Sequence, residues 1–340
     1  KAVEYGHGRN QNESVNKSGL IMAGLALCRE GEVFPLPLEL AHAAGFGQAE
    51  LDHGCTAPDI ISHGLDNSVD PCADQALQEL GGLSAKDFTR LVRANWFDTS
   101  SALHLHIDLD EPLLKDIAPL KKALLMLEAV AAQEPLNSDS LGRLPMGLVL
   151  ALLENPLWPG QKNQIFWNSR GLPTENKVKQ VHATRAMLQS ANLLERSNGE
   201  FFLTSMGRAL IKQGRNSEIY ARLLESRLRR GAGFKGVPGK VAPRFHRAMA
   251  YHLYRMAMCP SIRVHTNRLS DWLALPLWLY GLHPQDGTAN FQSLLEERFF
   301  SPLIEFGLLT RQPPLPGQDS DRHTAFSTTP LFHHAFNFDI

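Results

Sequence analysis

The sequence predicts a mainly α-helical protein that carries small β-hairpins. Amphipathic periodicity starts near residue 82 and recurs along the chain, whereas the extended segments are short. Two segments, 188–210 and 302–330, repeat one layout: the end of a helix, a Leu-Leu step, a polar reversal, and a strand that leads into a new helix. This layout is typical of a winged helix. We therefore predict two winged-helix-like units with small β-wings, preceded by an irregular N-terminal extension.

Shifts in composition divide the chain into four predicted regions. The first 80 residues are rich in Gly, Pro, Asn and His and show little periodicity. The stretch 231–239 contains four glycines in nine residues, which is typical of a linker. The predicted regions are an N-terminal extension at 1–80, a helical domain with the first winged helix at 81–230, a Gly-rich linker at 231–242, and a second winged-helix-like domain at 243–340.

Local signals define the helices and the hairpin of the first unit. Ser84, with Asp87 three residues later, matches an acidic variant of the capping box that starts a helix. We expect Thr174 to cap a second helix, which spans about 175–192. The Asn198-Gly199 dipeptide lies between two extended segments and is a strong signal for a two-residue hairpin.

Positive charge is concentrated in one part of the chain. The whole chain holds 34 Lys and Arg against 35 Asp and Glu, a formal net charge of −1. Residues 205–268 hold fourteen of the basic residues and only two acids, Glu218 and Glu225. A local basic field of this kind attracts phosphates or acidic protein surfaces. An equal alternative is that the acidic remainder of the same chain satisfies these charges.

Composition also excludes several classes of protein. A content of 43% hydrophobic and 20% charged residues is typical of a globular chain. Apolar runs stay below eighteen residues, and the stretch 19–28 is followed by Arg29 and Glu30 where a signal peptide would have its cleavage site. We therefore expect a cytoplasmic protein without a membrane segment. Sequence motifs of serine hydrolases and zinc hydrolases are absent, so we expect binding rather than catalysis, and no cofactor.

Four motifs in the first half of the chain carry a resemblance to a known family. They lie at 82–91, 95–98, 141–145 and 193–208. On these motifs the region from 81 to about 228, rather less than half of the chain, resembles an uncharacterised bacterial family that is often associated with plasmids and mobile elements. The third motif of that family reads Leu-Thr-x-x-Gly-Asn-Leu-Pro, and this chain departs from it at Asn137, Ser138 and Arg143. The resemblance implies a winged-helix-like helical architecture and no known activity.

The leading hypothesis is that the first unit binds nucleic acid, with DNA as the expected ligand. A recognition helix enters the major groove, where Arg and Lys can read guanine and Gln can read adenine, and other basic residues hold phosphates. The residues expected to make these contacts are Lys177, Lys179, Arg185, Gln189, Arg196, Arg208, Lys212, Arg215, Arg227, Arg229, Arg230, Lys235 and Lys240. The alternative is a protein–protein interaction subunit, since winged helices also serve as docking modules.

The second unit has weaker signals. Its expected helix carries Glu296 and Glu297, and its expected wing contains a proline-rich loop at 313–317 in place of an Asn-Gly turn. If either wing meets nucleic acid, we expect it to be the first. The second is better suited to packing or to pairing with another protein.

Two groups of residues have the side chains of metal ligands. His53, Cys55, His63 and Cys72 form one group, but structural zinc sites supply paired ligands at short spacing, so loop histidines and buried thiols explain them more simply. The second group is His104, His106, Asp108 and Asp110, which could bind metal but which an exposed edge-strand face explains more simply. We predict no metal.

Overall fold

The structure, a computed structural model, describes residues 74, 76–158, 174–232, 241–259, 261–265, 280, 288–312 and 323–340, with short pieces at 19–20, 22–24, 26–27, 33–34 and 55–56. Over these residues the protein is mostly helical and its sheets are small and antiparallel, which confirms the predicted fold class at this level. Most of the predicted linker, and the tip of the second predicted wing, lie outside the described residues.

The elements that precede the first unit are short. They are β1 (Val33–Phe34), β2 (Cys55–Thr56), α1 (Ala85–Val92), β3 (Leu103–Leu105) and α2 (Glu111–Leu114). Helix α1 starts as predicted, because the Oγ of Ser84 accepts a hydrogen bond from the N–H of Asp87 at 3.0 Å.

A first unit of helices around a three-stranded sheet follows, and we call residues 118–212 unit 1. Its elements are α3 (Ala118–Ala131), β4 (Leu136–Asn137), α4 (Met146–Glu154), α5 (Lys179–Ser190), β5 (Leu194–Ser197), β6 (Glu200–Leu203) and α6 (Ser205–Lys212). The last strand lies in the middle of the sheet, in the order β4-β6-β5. The helix α7 (Asn216–Leu228) follows and packs against α3, α5 and α6 of the unit.

A second unit, residues 249–335, repeats this order in its described parts, and we call it unit 2. Helix α8 (Val241–Arg247) precedes it. Its elements are α9 (Met249–Met258), β7 (Ser261–His265), α10 (Thr288–Leu295), a π-helical turn at Glu296–Phe300, α11 (Ser301–Glu305), β8 (Leu309–Gln312), β9 (His323–Thr328) and α12 (Pro330–Ala335). The last strand is again central, in the order β7-β9-β8. The final strand, β10 (Phe336–Phe338), pairs with β3.

The two units share the hydrogen bond that closes the turn beside the sheet. The hydroxyl of Thr204 donates to the carbonyl of Asn192 at 2.7 Å, and the hydroxyl of Thr329 donates to the carbonyl of Gly307 at 2.7 Å. Asn192 and Gly307 both adopt the left-handed conformation, with φ of 57° and 72°. Each threonine also caps the helix that follows the sheet. The repeat seen in the sequence is therefore a repeat of backbone hydrogen bonding.

The strand pairing repeats with the same register. Arg196 lies opposite Phe201 in unit 1, and Arg311 lies opposite Phe326 in unit 2. In both units the aromatic residue of the central strand is fully buried. Arg196 and Arg311 are therefore equivalent positions on two equivalent edge strands.

The units share one hydrophobic core and contact each other directly. The hydroxyl of Tyr220 on α7 donates to the carbonyl of Phe306, at the end of α11, at 2.9 Å. Gly307, the next residue, packs so closely on Ile117 that a Cβ would collide with its side chain. Helix α11 of unit 2 is thus anchored at its C-terminal end to α7 and to Ile117, the residue that precedes unit 1.

The helices that the structure describes include none with the length and apolar character needed to cross a bilayer.

Candidate nucleic-acid interface

The hairpin of unit 1 ends in a tight two-residue turn. Asn198 and Gly199 both have positive φ, 52° and 83°, as an Asn-Gly hairpin turn requires. The N–H of Ser138 donates to the carbonyl of Gly199 at 2.7 Å, so the turn after β4 supports the hairpin tip. The predicted hairpin is confirmed, with β5 and β6 in a continuous antiparallel ladder.

One aspartate organises the turn between β4 and α4. The carboxylate of Asp139 accepts hydrogen bonds from the N–H groups of Leu141 and Arg143, both at 2.9 Å, and from Nε of Arg143 at 2.6 Å. These contacts, first of all the N–H of Arg143, hold the pKa of Asp139 below its usual value. Gly142 has a φ of 72°, and a Cβ there would collide with the guanidinium of Arg196. The turn and the hairpin are therefore in contact.

A buried glutamate joins this turn to helix α5. Glu175 is fully buried, and its carboxylate accepts the N–H of Leu144 and Nε of Arg185, both at 2.7 Å. Nδ1 of His182 lies 2.8 Å from the same carboxylate. A buried carboxylate needs such partners, because burial of an unpaired charge is costly. Glu175 thus fixes the start of α4 against the start of α5.

The predicted cap of α5 is wrong. Thr174 makes no capping hydrogen bond with its side chain; a single 3₁₀ turn, Glu175–Lys177, lies between it and the first residue of α5, Lys179. The reason is the buried side chain of Glu175, which directs this turn inward before the helix can begin.

Residues expected to read bases occupy two different environments on α5. Lys177, in the 3₁₀ turn before α5, and Lys179, the first residue of α5, are exposed. Arg185, in contrast, is only 13% exposed, lies over the ring of Phe201 and donates to Gln189 as well as to Glu175. Lys177 and Lys179 are thus available to a ligand, whereas Arg185 and Gln189 bond to each other.

Four predicted phosphate-binding arginines form ion pairs with carboxylates that are mostly buried. Their exposed fractions range from 38% to 58%, whereas Glu134, Glu218 and Glu225 are at most 13% exposed. The pairs are Arg208–Glu134 at 2.5 Å, Arg215–Glu218 at 2.9 Å, Arg229–Glu225 at 3.5 Å and Arg230–Glu225 at 3.1 Å. Much of the basic charge counted in the sequence is therefore balanced within the fold.

The remaining residues expected to contact DNA also differ in their exposure. Arg227 is 11% exposed, and its guanidinium donates to the carbonyl of Ala232 at 2.9 Å. Burial lowers the pKa of Arg227. Lys212 is exposed at the end of α6. Lys235 and Lys240 lie outside the described residues.

The candidate metal ligands give no centre in the described part of the chain, where no three His, Cys, Asp or Glu side chains cluster as a metal would require. Of the first group, Cys55 lies in β2, and His53, His63 and Cys72 are outside the described residues. In the second group, the rings of His104 and His106 contact each other with centroids 4.6 Å apart. Strand β3 ends at Leu105, which leaves Asp108 and Asp110 beyond the strand.

Sequence reasoning missed the two carboxylates that build this end of unit 1. Asp139 has a local signal, because an aspartate followed by Ser-Leu-Gly is typical of a side-chain-stabilised turn. Glu175 has none, because its partner Leu144 is 31 residues away.

Protein-family models, curated protein sequences and solved structures contain no match to this chain. The resemblance to the plasmid-associated family stays a prediction.

Proposed function

We propose that this protein binds duplex DNA through the end of unit 1 formed by the turn 138–144, the hairpin tip and the start of α5, and that both units are winged helices. The order of elements supports the winged-helix interpretation: helix, strand, helix, helix, strand, strand in unit 1, with the last strand central. A helix beside a tight hairpin is the arrangement in which winged helices present side chains to DNA.

Three cations at this end of unit 1 carry the proposal. Lys177, Lys179 and Arg196 are exposed, and within the described residues none of them forms an ion pair with a carboxylate. Arg311, the unit 2 equivalent of Arg196, forms an ion pair with Glu296. Exposed cations without a carboxylate partner are suited to phosphate oxygens, which DNA supplies at regular spacing.

The start of α5 is also the part of the helix that would face base edges. N-terminal residues of a recognition helix contact the bases, and lysine can donate to guanine acceptors. Glu175 holds this start against α4 through Leu144, so the two lysines are presented from a fixed position. A fixed position lowers the entropic cost of ordering these residues when a ligand binds.

Fluorescence anisotropy of a labelled duplex across a salt series tests the proposal. A variant with Lys177→Ala, Lys179→Ala and Arg196→Ala should bind at least about tenfold more weakly, and the slope of log K against log salt should fall by about three. The matched control replaces Lys86, Lys121 and Arg311 by Ala, which removes the same charge from residues that are ion-paired to Asp74, Asp116 and Glu296.

The control variant should keep both the affinity and the slope of the unmodified protein. If the two variants weaken binding equally, the contact is a diffuse charge effect and the proposed end of unit 1 is not the site. If no duplex binds at low salt, DNA binding is excluded and docking onto a protein becomes the function to test.

A further inference from the structure

The turn after β4 presents a leucine to solvent on a rigid backbone. Leu141 is 69% exposed, the highest value among the large hydrophobic residues that the structure describes as exposed. Its own N–H is bonded to Asp139, which also holds Arg143 two residues later. The hydrogen bonds that order this turn use backbone groups and the aspartate, so the leucine side chain adds nothing to them.

The carboxylate beside Leu141, that of Asp139, is paired with Arg143, and one cation of the proposed site lies next to the turn. The guanidinium of Arg196 packs on Gly142, the residue that follows Leu141. Lys177 and Lys179 are two and four residues beyond Glu175, whose carboxylate is 2.7 Å from the N–H of Leu144. Short stretches of chain therefore connect an exposed apolar side chain with all three cations of the proposed site.

This pairing of features fits one class of ligand better than a regular duplex. Apolar side chains such as leucine act as wedges that stack against a base after it has lost its neighbour, while adjacent cations hold the phosphates. Unstacking a base inside a duplex costs free energy, and the cost is smallest where pairing is already interrupted. A base pair at the junction of duplex and single strand already exposes one face.

We propose that Leu141 stacks on the terminal base pair of a junction between duplex and single-stranded DNA, so that unit 1 prefers such junctions to continuous duplex. The inference rests on the proposed DNA binding and specifies its substrate. Arg196 holds the phosphate beside the stacked pair, and Lys177 and Lys179 hold the duplex strand.

Two labelled DNAs with equal numbers of phosphates test the inference by fluorescence anisotropy: a closed duplex circle, which has no terminal base pair, and a linear duplex with a single-stranded tail at each end. A 2-aminopurine at the junction reports stacking. The unmodified protein should bind the tailed DNA about five- to thirtyfold more tightly, which is the effect of burying most of one leucine. Leu141→Ala should remove this preference and the fluorescence change.

The matched control is Met258→Ala, which removes a second exposed apolar side chain, 59% exposed, at the end of α9. It should keep the preference for the tailed DNA. Because Leu141 is exposed, Leu141→Ala should also keep the melting temperature of the unmodified protein.

Three results are informative. Loss of the preference in Leu141→Ala, with retention in Met258→Ala, supports the inference. Equal binding of circular and tailed DNA by the unmodified protein, or a preference that survives Leu141→Ala, overturns the inference and leaves the proposed DNA binding intact. Failure to bind either DNA at low salt overturns the proposed function and the inference together.

Discussion

Units 1 and 2 have the same hydrogen-bonding scheme but expose different parts of it. In unit 1 the turn after the third helix is open, and Asn192 is exposed. In unit 2 the equivalent Gly307 is packed against Ile117, and the carbonyl before it accepts the hydroxyl of Tyr220. The turn of unit 2 is therefore used for internal packing, whereas the turn of unit 1 is accessible to solvent. Two equal folds need not have equal functions, because the surroundings decide which surface a ligand can reach.

The edge strands differ in the same sense. Arg311 in unit 2 forms an ion pair with Glu296 and lies over the ring of Phe326. Arg196 in unit 1 lies on a glycine, beside the turn that exposes Leu141. Arg311 thus contacts side chains of its own unit, whereas Arg196 is available to a ligand.

The largest expected effect concerns the carboxylate that builds the accessible end of unit 1. Glu175→Ala removes the carboxylate that Leu144, His182 and Arg185 contact and leaves Arg185 buried without its partner, so the free energy of unfolding should fall by about 3–5 kcal/mol. Glu297→Ala, at an exposed position in unit 2, should change it by less than about 0.5 kcal/mol. Urea denaturation followed by circular dichroism measures both. A loss below 1 kcal/mol for Glu175→Ala would mean that the carboxylate does not organise the unit.

A smaller effect is expected where α6 leaves the sheet of unit 1. A Cβ on Gly207 would collide with the carbonyl of Leu193, which is backbone and cannot move aside. Gly207→Ala should therefore lower the free energy of unfolding by about 1–3 kcal/mol. Gly147→Ala in α4 meets no atom within 4 Å and should stabilise the protein by about 0.5 kcal/mol. In unit 2 the position equivalent to Gly207 is Phe332, which carries a Cβ. An unchanged stability of Gly207→Ala would therefore show that α6 approaches its sheet as α12 does.

The junction between the units should be sensitive to acid. His246 on α8 is 7% exposed, its Nδ1 is 2.7 Å from the carbonyl of Leu228, and burial lowers its pKa to about 4. Arg227 and Arg298 also oppose its protonation. Because the unfolded chain binds this proton near pH 6.5 and the folded chain near pH 4, stability should fall as the pH drops through that window. From pH 7 to pH 4.5 the expected loss is about 2 kcal/mol.

His246→Gln keeps a donor for the carbonyl of Leu228 but does not titrate. Chemical denaturation at pH 7 and pH 4.5 should therefore show a smaller loss for the variant than for the unmodified protein, by about 2 kcal/mol. Equal losses would mean that the imidazole is hydrated or protonated in the folded protein.

The smallest expected effect is the loss of one hydrogen bond between α7 and unit 2. Tyr220→Phe removes the donor to the carbonyl of Phe306 and should lower the free energy of unfolding by about 1 kcal/mol. Tyr254→Phe, at a partly buried position on α9, is the control and should change it by less than about 0.5 kcal/mol. Thermal unfolding of both variants measures the difference. An unchanged stability of Tyr220→Phe would mean that this hydrogen bond contributes little to folding.

The sequence was informative where the structure depends on near neighbours. The cap at Ser84 and the turn at Asn198-Gly199 were predictable because each involves residues within three positions of one another. The ion pairs of Arg215 with Glu218 and of Arg229 with Glu225 also have a local signal, since residues three and four apart on a helix are neighbours.

Contacts between distant residues gave no such signal. Tyr220 and Phe306 are 86 residues apart, and Glu175 is 31 residues from Leu144. The accessible end of unit 1 depends on the second of these contacts and the occupied end of unit 2 on the first. The repeat could therefore be predicted from the sequence, but the different exposure of its two copies could not.

The matched arginine pair gives the most direct measurement. Arg196→Ala and Arg311→Ala remove the same side chain from equivalent strand positions, and each variant can be titrated with the same labelled duplex across a salt series. We expect Arg196→Ala to weaken binding and to lower the salt slope by about one, and Arg311→Ala to leave both unchanged. Equal effects of the two substitutions, or a larger effect of Arg311→Ala, would contradict the assignment of the DNA site to unit 1.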